Sequence, residues 1–215
     1  MAKKILVVLT SYDTIESTGQ PTGWYLPEFA HPYDVLAPHA EIVVASPKGG
    51  SFKDDSSVNF LNNKSSLWEN TKTIKEFLGR AGEFDAIFYP GGHGPVFDLR
   101  VDEESIQLIQ EFYKAGKTVA AVCHGPIVFS NVKIDGEYLV KGKNVTGFTD
   151  AEEEAVKLAE VMPVLLESDF IKKGAKFQKA EKLWGEKVVV DGQLITGQNP
   201  ASAKAVGDAI LKAIS

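Results

Sequence analysis

The chain has 215 residues, 44% of them hydrophobic, with one cysteine and a formal net charge of −6. This size and apolar content suit one sizeable core, so a single domain over residues 1–215 is expected. The acidic balance, with lysines interleaved among Glu and Asp, argues against nucleic acid or an anionic membrane as partner, because both need concentrated Lys and Arg. A lone cysteine permits no internal disulfide.

The N-terminal Met1-Ala2-Lys3-Lys4 and the apolar Ile5–Leu9 imitate a signal peptide, but the run is short and meets Thr10, Ser11, Tyr12 and Asp13. No segment approaches the roughly 18 apolar residues of a membrane span. A soluble, cytoplasmic protein is therefore expected. Ile5–Leu9 reads instead as a strand buried on both faces. A polar loop follows, and Pro27 opens a helix to about Ala37 with Phe29, Ala30, Tyr33, Leu36 and Ala37 at helical spacing. Glu41–Ser46 (EIVVAS) is a second strand, and the βαβ order predicts a parallel sheet.

Residues 47–64 read as irregular, and a helix is expected over about Ser66–Leu78. Phe84–Tyr89 is a third strand running into Pro90-Gly91-Gly92-His93-Gly94-Pro95. Glu103–Ala115 is an amphipathic helix stopped by Gly116. Thr118–Val122 is a fourth strand, followed by Cys123-His124-Gly125-Pro126 and a short helix. Asn144–Phe148 predicts a strand, and helices are expected over about Asp150–Glu160 and Pro163–Lys172. Val188–Val190 and Gln193–Thr196, split by Asp191-Gly192, carry a hairpin signal. Asn199-Pro200 caps and opens the last helix, which runs to about Ile214.

The chemistry concentrates at Cys123. A nucleophile between a buried strand and a helix, with small residues beside it, fits the sharp turn called a nucleophile elbow. The elbow puts the side chain at the carboxyl ends of the strands, where open α/β sheets bind ligands. The helix N-terminus should favour a thiolate and lower the cysteine pKa. If the third and fourth strands are neighbours, the Gly91-Gly92-His93-Gly94 loop lies beside Cys123. A backbone amide of this loop and that of His124 could then hold an oxyanion. The glycine loop lacks the phosphate-loop pattern. The histidines are His31, His39, His93 and His124, and none follows position 124. Glutamine amidotransferases with a Cys nucleophile carry a late His-x-Glu pair, so glutamine hydrolysis is disfavoured. No HxxxH, HExxH or Cys pair suggests a metal. Trp24 and Trp184 are candidates to line a pocket.

The run Ala120-Ala121-Val122-Cys123-His124-Gly125-Pro126 resembles the DJ-1/PfpI superfamily, and more narrowly its Hsp31-like branch of glutathione-independent glyoxalase III and chaperone proteins. The likeness extends to Leu9-Thr10-Ser11-Tyr12, Pro27-Glu28, Gly92-His93-Gly94, Thr146-Gly147-Phe148-Thr149-Asp150 and Thr196-Gly197-Gln198-Asn199-Pro200-Ala201-Ser202, in order along the chain. The resemblance implies a flavodoxin-like three-layer α/β sandwich with a mostly parallel sheet, and a homodimer. It implies a Cys–His–acid triad of Cys123, His124 and Glu153, with Glu152 and Glu154 adjacent and not separable from it by sequence. It implies a protonated Glu28 touching the nucleophile, and substrate contacts from Gly92, His93 and His124. The implied activity is cofactor-free and metal-free conversion of methylglyoxal or a similar dicarbonyl to the 2-hydroxy acid, with repair of glycated protein as a related activity. A stress-responsive holdase with unfolded-protein clients, and a cysteine amidase or peptidase, are the alternatives.

Overall fold

The computed structural model describes residues 2–49 and 66–215. Among these residues the main sheet has seven strands: β1 (Lys3–Val8), β2 (Ala40–Ser46), β3 (Lys72–Thr73), β4 (Ala86–Tyr89), β5 (Thr118–Val122), β6 (Val188–Asp191) and β7 (Leu194–Gly197). Their spatial order is β6-β7-β5-β4-β1-β2-β3. All neighbours pair in parallel except β6 and β7, which form the expected hairpin and make β6 an antiparallel edge. The third and fourth predicted strands are neighbours, with Tyr89 opposite Ala121.

Alternation along the strands builds two cores. One set of inward residues, including Leu6, Ile87, Val119 and Leu194, packs with Leu108, Ile109 and Phe112 of α2 (Glu103–Lys114). The opposite set, including Ile5, Phe88, Ala120 and Ile195, packs with α1 (Leu26–Leu36) and α5 (Ala203–Ile214). The result is a three-layer α/β sandwich. The central strands are apolar on both faces, which is why they read as continuous hydrophobic runs rather than alternating ones.

Four expectations are corrected. Ser66–Leu78 is not one helix: a four-residue α-helix at Ser66–Glu69 gives way to β3, then to a 3₁₀ turn at Ile74–Phe77. Pairing of Lys72–Thr73 with Ala45–Ser46 of β2 overrides the helical spacing. The strand expected over Asn144–Phe148 stops at Val145, because the next amides leave the ladder: Thr146 donates to Thr196 Oγ1 and Phe148 to the Cys123 carbonyl. The helix expected to reach Glu160, here α3 (Asp150–Ala155), ends five residues early, near the left-handed Lys157. The helix expected from Pro163 begins at Leu166, as α4 (Leu166–Lys172). Most of the irregular stretch read at 47–64 lies outside the described residues.

α1 and α5 lie side by side on one face of the sheet, and α1 carries Glu28. Their close approach depends on Gly207, where an added Cβ would fall 2.9 Å from the Pro32 Cα. An exposed helical glycine replaced by alanine usually gains up to about 1 kcal/mol from helix propensity. Here Gly207→Ala should instead lose about 1–3 kcal/mol through overpacking, read as a lowered urea midpoint; a raised midpoint would mean that the contact is slack.

Candidate active site

Every element of the site converges on the carboxyl ends of β4 and β5. β5 delivers Cys123, whose φ of +61° is left-handed, and a 3₁₀ helix at Gly125–Phe129 follows at once. For a residue with a Cβ this conformation costs roughly 1–2 kcal/mol, and two bonds hold it. The Cys123 amide donates to Gly197 O at the end of β7 (3.0 Å), and the Phe148 amide donates to Cys123 O (2.8 Å). Gly125 is required next, since a Cβ there would lie 2.3 Å from the Tyr89 carbonyl of the neighbouring strand. The expected sharp turn is therefore present, though its helix is a short 3₁₀ turn.

Glu28 enters from the first turn of α1, after β1 and its loop. It is wholly buried. The Gly91 amide donates to its Oε2 at 2.8 Å, and the carboxyl lies against the Cys123 side chain. Oε1 has no hydrogen-bond partner of its own among the described residues. Gly91 must lack a side chain, because a Cβ would meet Glu28 Oε2 at 2.6 Å and Cys123 Cβ at 2.8 Å. Burial raises the Glu28 pKa to about 8, against the smaller opposing pull of its bonds to Cys123 and Gly91.

The expectation of a lowered cysteine pKa is overturned. Burial pushes the Cys123 thiol up, and an ionised Glu28 beside it pushes further; the amides of Gly92 and His124 hydrogen-bond the sulfur and pull the other way without prevailing. The two acids compete for one negative charge. At neutral pH Glu28 keeps its proton, and with Oε2 already accepting from Gly91, Oε1 is the oxygen left to carry it. In that state charge repulsion is gone, and an O–H can donate to sulfur.

His124 Nδ1 lies 3.5 Å from Cys123 Sγ, and its Nε2 lies 2.5 Å from Glu153 Oε2. His93 Nε2 lies 2.8 Å from the other oxygen, Oε1. A carboxylate only accepts, so both rings donate from Nε2, which leaves Nδ1 of His124 as a free acceptor facing the sulfur. Burial, then the neighbouring His93, lowers the His124 pKa to about 4, so the ring is neutral. Burial would raise Glu153, but the bonds from both histidines outweigh it and hold its pKa at about 2. The rings of His93 and His124 are 4.1 Å apart, and Phe148 covers the other side of His124 at 4.2 Å.

The three consecutive glutamates take three different places. Glu154 is exposed. Glu153 meets both histidines. Glu152 is buried and forms a capping box: Thr149 Oγ1 accepts from the Glu152 amide, while Oε2 accepts from the Thr149 amide and hydroxyl. Its Oε1 accepts from Gln198 Nε2, Asn199 Nδ2 and the Trp184 amide, tying the 180–185 loop to the site. Asn199 and Pro200 hold the expected N-cap and N1 positions, but of a 3₁₀ turn (Pro200–Ser202) that runs into α5 at Ala203, and the Asn199 side-chain amide makes no capping bond, donating instead to Glu152 Oε1 and Gly185 O. His31 and His39 are exposed and take no part. Trp24 is buried in the core against Phe29 and Trp68, not at the pocket, whereas Trp184 lines it.

One arrangement was invisible to motif spacing. His93, His124 and Glu153 bring possible metal-ligand atoms within 4.8 Å of one another from three separate segments. Those atoms are already hydrogen-bonded to each other, which is the arrangement of a triad and its second histidine.

The DJ-1/PfpI family model matches residues 23–213. The chain belongs to the DJ-1/PfpI family. It is 34% identical to glyoxalase 3 of Candida albicans, over 98% of each chain. It is 35% identical to the glutathione-independent glyoxalase HSP31 of Saccharomyces cerevisiae, over 94% of this chain and 93% of that one. The crystal structure of glyoxalase III from Candida albicans superimposes with a TM-score of 0.90 at 30% identity, covering 100% of this chain and 98% of that one. These relatives put the chain in the Hsp31-like branch of the DJ-1/PfpI family. No helix among the described residues is long and apolar enough to cross a membrane.

The differing places of the three acids make an immediate test. Glu152→Gln puts an amide donor where only donors converge and should lose about 2–4 kcal/mol, the scale of one or two hydrogen bonds to a charged group. Glu154→Gln should stay within about 0.5 kcal/mol of wild type. Urea unfolding of the two variants checks the assignment; equal stabilities would contradict it.

Proposed function

We propose that this chain is a glutathione-independent glyoxalase that converts methylglyoxal or a similar 2-oxoaldehyde to the 2-hydroxy acid. The observation that carries this reading is a buried carboxyl with a pKa near 8 touching the only cysteine, beside a neutral His–carboxylate pair. An internal proton transfer between two adjacent carbons needs one group able to take and return a proton near the working pH.

In this mechanism Cys123 Sγ attacks the aldehyde carbon as its thiol proton passes to His124 Nδ1. Glu153 holds the ring in the required tautomer and stabilises the imidazolium, as the acid of a triad does. The amides of Gly92 and His124 stabilise the oxyanion, and His124 returns the proton to give a hemithioacetal. Glu28 passes its own proton to the keto oxygen and, now a carboxylate, takes the proton from the hemithioacetal carbon, giving an enediol. Glu28 then returns that proton to the second carbon and recovers one from the hydroxyl of the first, leaving a 2-hydroxyacyl thioester on Cys123 and Glu28 protonated again. Water adds, the C–S bond breaks, and the 2-hydroxy acid leaves with the thiol restored. The net reaction is substrate plus water, with no external oxidant or reductant. His93 buttresses Glu153 and borders the substrate space. A homodimer and action on glycated proteins or unfolded clients are further parts of the proposal that rest on the family resemblance alone, and a cytoplasmic setting rests on the reading of the apolar runs in the sequence.

Cys123→Ala removes the covalent path, so turnover of methylglyoxal should vanish while unfolding changes little; turnover within about tenfold of wild type would contradict the mechanism. Glu28→Gln keeps the size but cannot exchange a proton. It should slow lactate formation by roughly two to four orders of magnitude while Cys123 remains open to iodoacetamide. Normal lactate formation in this variant would move the proton transfer to His124. Release of amines from peptides, with no dicarbonyl turnover, would favour an amidase.

A further inference from the structure

The cavity that opens beyond Cys123 is larger and more apolar than methylglyoxal requires. It measures about 210 Å³, several times the roughly 30 Å³ share of one water, so a methyl substituent would leave much of it empty. Past the reacting groups its walls are Tyr25, Phe148, Val156, Trp184 and Pro200, and among the described residues no Lys or Arg lines it. A phosphate or carboxylate on the substrate would thus meet no cation and would lie near the buried charge of Glu153.

Trp184 is the residue in this wall that packing alone does not explain. It is 43% exposed, a large aromatic left in water. Its φ is +64°, a left-handed conformation that is a genuine outlier for a bulky residue. Such strain persists only where the surroundings over-determine it, and it tends to mark functional positions. The surroundings here are specific. The Trp184 amide is held by Glu152 Oε1 at 3.3 Å, and the Gly185 carbonyl by Asn199 Nδ2 at 2.8 Å. The indole is thereby set 5.6 Å from Phe148, tilted by 57°, and Phe148 in turn covers His124. Two aromatic rings, one on the catalytic histidine and one at the rim, form a cleft leading away from the sulfur.

We infer that this pocket selects 2-oxoaldehydes bearing a large uncharged aryl substituent, and that Trp184 is the specificity-determining residue that grips it. The inference rests on the glyoxalase reading. With the aldehyde carbon on Sγ and its oxygen at the Gly92 and His124 amides, the substituent has the cleft to enter. An aryl ring there gains apolar burial and ring–ring contact that a methyl cannot.

The test compares kcat/KM for phenylglyoxal, 4-carboxyphenylglyoxal and methylglyoxal in the wild-type protein, Trp184→Ala and Trp184→Phe. Wild type should prefer phenylglyoxal over methylglyoxal by about tenfold or more, the usual discrimination from extra apolar contact, and should disfavour the carboxylated ring. Trp184→Ala should bring the phenylglyoxal-to-methylglyoxal ratio close to one, mainly by raising KM for phenylglyoxal, and Trp184→Phe should keep most of the preference. The ratio cancels any loss of active protein. A wild-type ratio near one, or a ratio unchanged in Trp184→Ala, overturns the inference and leaves the glyoxalase reading standing. Absence of turnover with all three substrates overturns both.

Discussion

The site depends on one strained residue. Cys123 holds a left-handed backbone that only a sharp strand-to-helix turn demands, and neither its own side chain nor its short 3₁₀ helix supplies the compensation. The compensation comes from the sheet. Gly197, closing β7, accepts the Cys123 amide, and Phe148 returns a bond to its carbonyl. The parallel order β7-β5-β4 therefore does more than build a core. It places Gly197 on one side of Cys123, and the Gly91-Gly92 loop of β4 on the other.

A second constraint follows from burial. Three ionisable groups meet around a cysteine that is only 4% exposed, and low solvation forbids them from all being charged. The structure divides them. Glu153 keeps its charge because two histidines donate to it; Glu28 loses its charge because one amide and a thiol are too little to hold it. Two carboxyls thereby acquire opposite protonation states at the same pH, which in the proposed mechanism separates an acid–base group from an orienting group. The sign of the linkage is set as well. Glu28 binds its proton more tightly folded than unfolded, so its contribution to stability is full below its ordinary pKa and fades as pH rises towards about 8. Glu153 acts the other way, adding stability above its ordinary pKa that is lost as pH falls towards about 2.

Much of this was legible in the sequence. Thr118–Val122 matches β5 residue for residue because a strand buried on both faces is a continuous apolar run, and the Asp191-Gly192 turn marked the hairpin. The elbow could be read from Cys123, Gly125 and Pro126. The Thr149-x-x-Glu152 spacing is a capping box, and it would have assigned Glu152 to the helix end and left Glu153 for the histidine. Other features had no local signal. The bond from His93 to Glu153 joins residues 60 apart in sequence. The ties from Gln198 and Asn199 to Glu152 span more than 40 residues, and nothing near Trp184 announces a left-handed backbone. The cysteine pKa was misjudged because the helix end is a local feature, whereas burial and the approach of Glu28 are products of the fold.

The central claim is that Glu28 carries a proton at neutral pH beside the Cys123 thiol. Its most direct test is a carbon-13 NMR titration of the Glu28 carboxyl carbon, assigned by comparison with Glu28→Gln. The account predicts that Glu28 titrates with a midpoint near 8, and that the midpoint falls when Cys123 is alkylated with a cationic reagent that leaves a positive charge beside it. A midpoint near 4.5, the ordinary carboxylate value, would show that Glu28 is ionised at neutral pH and would contradict the account.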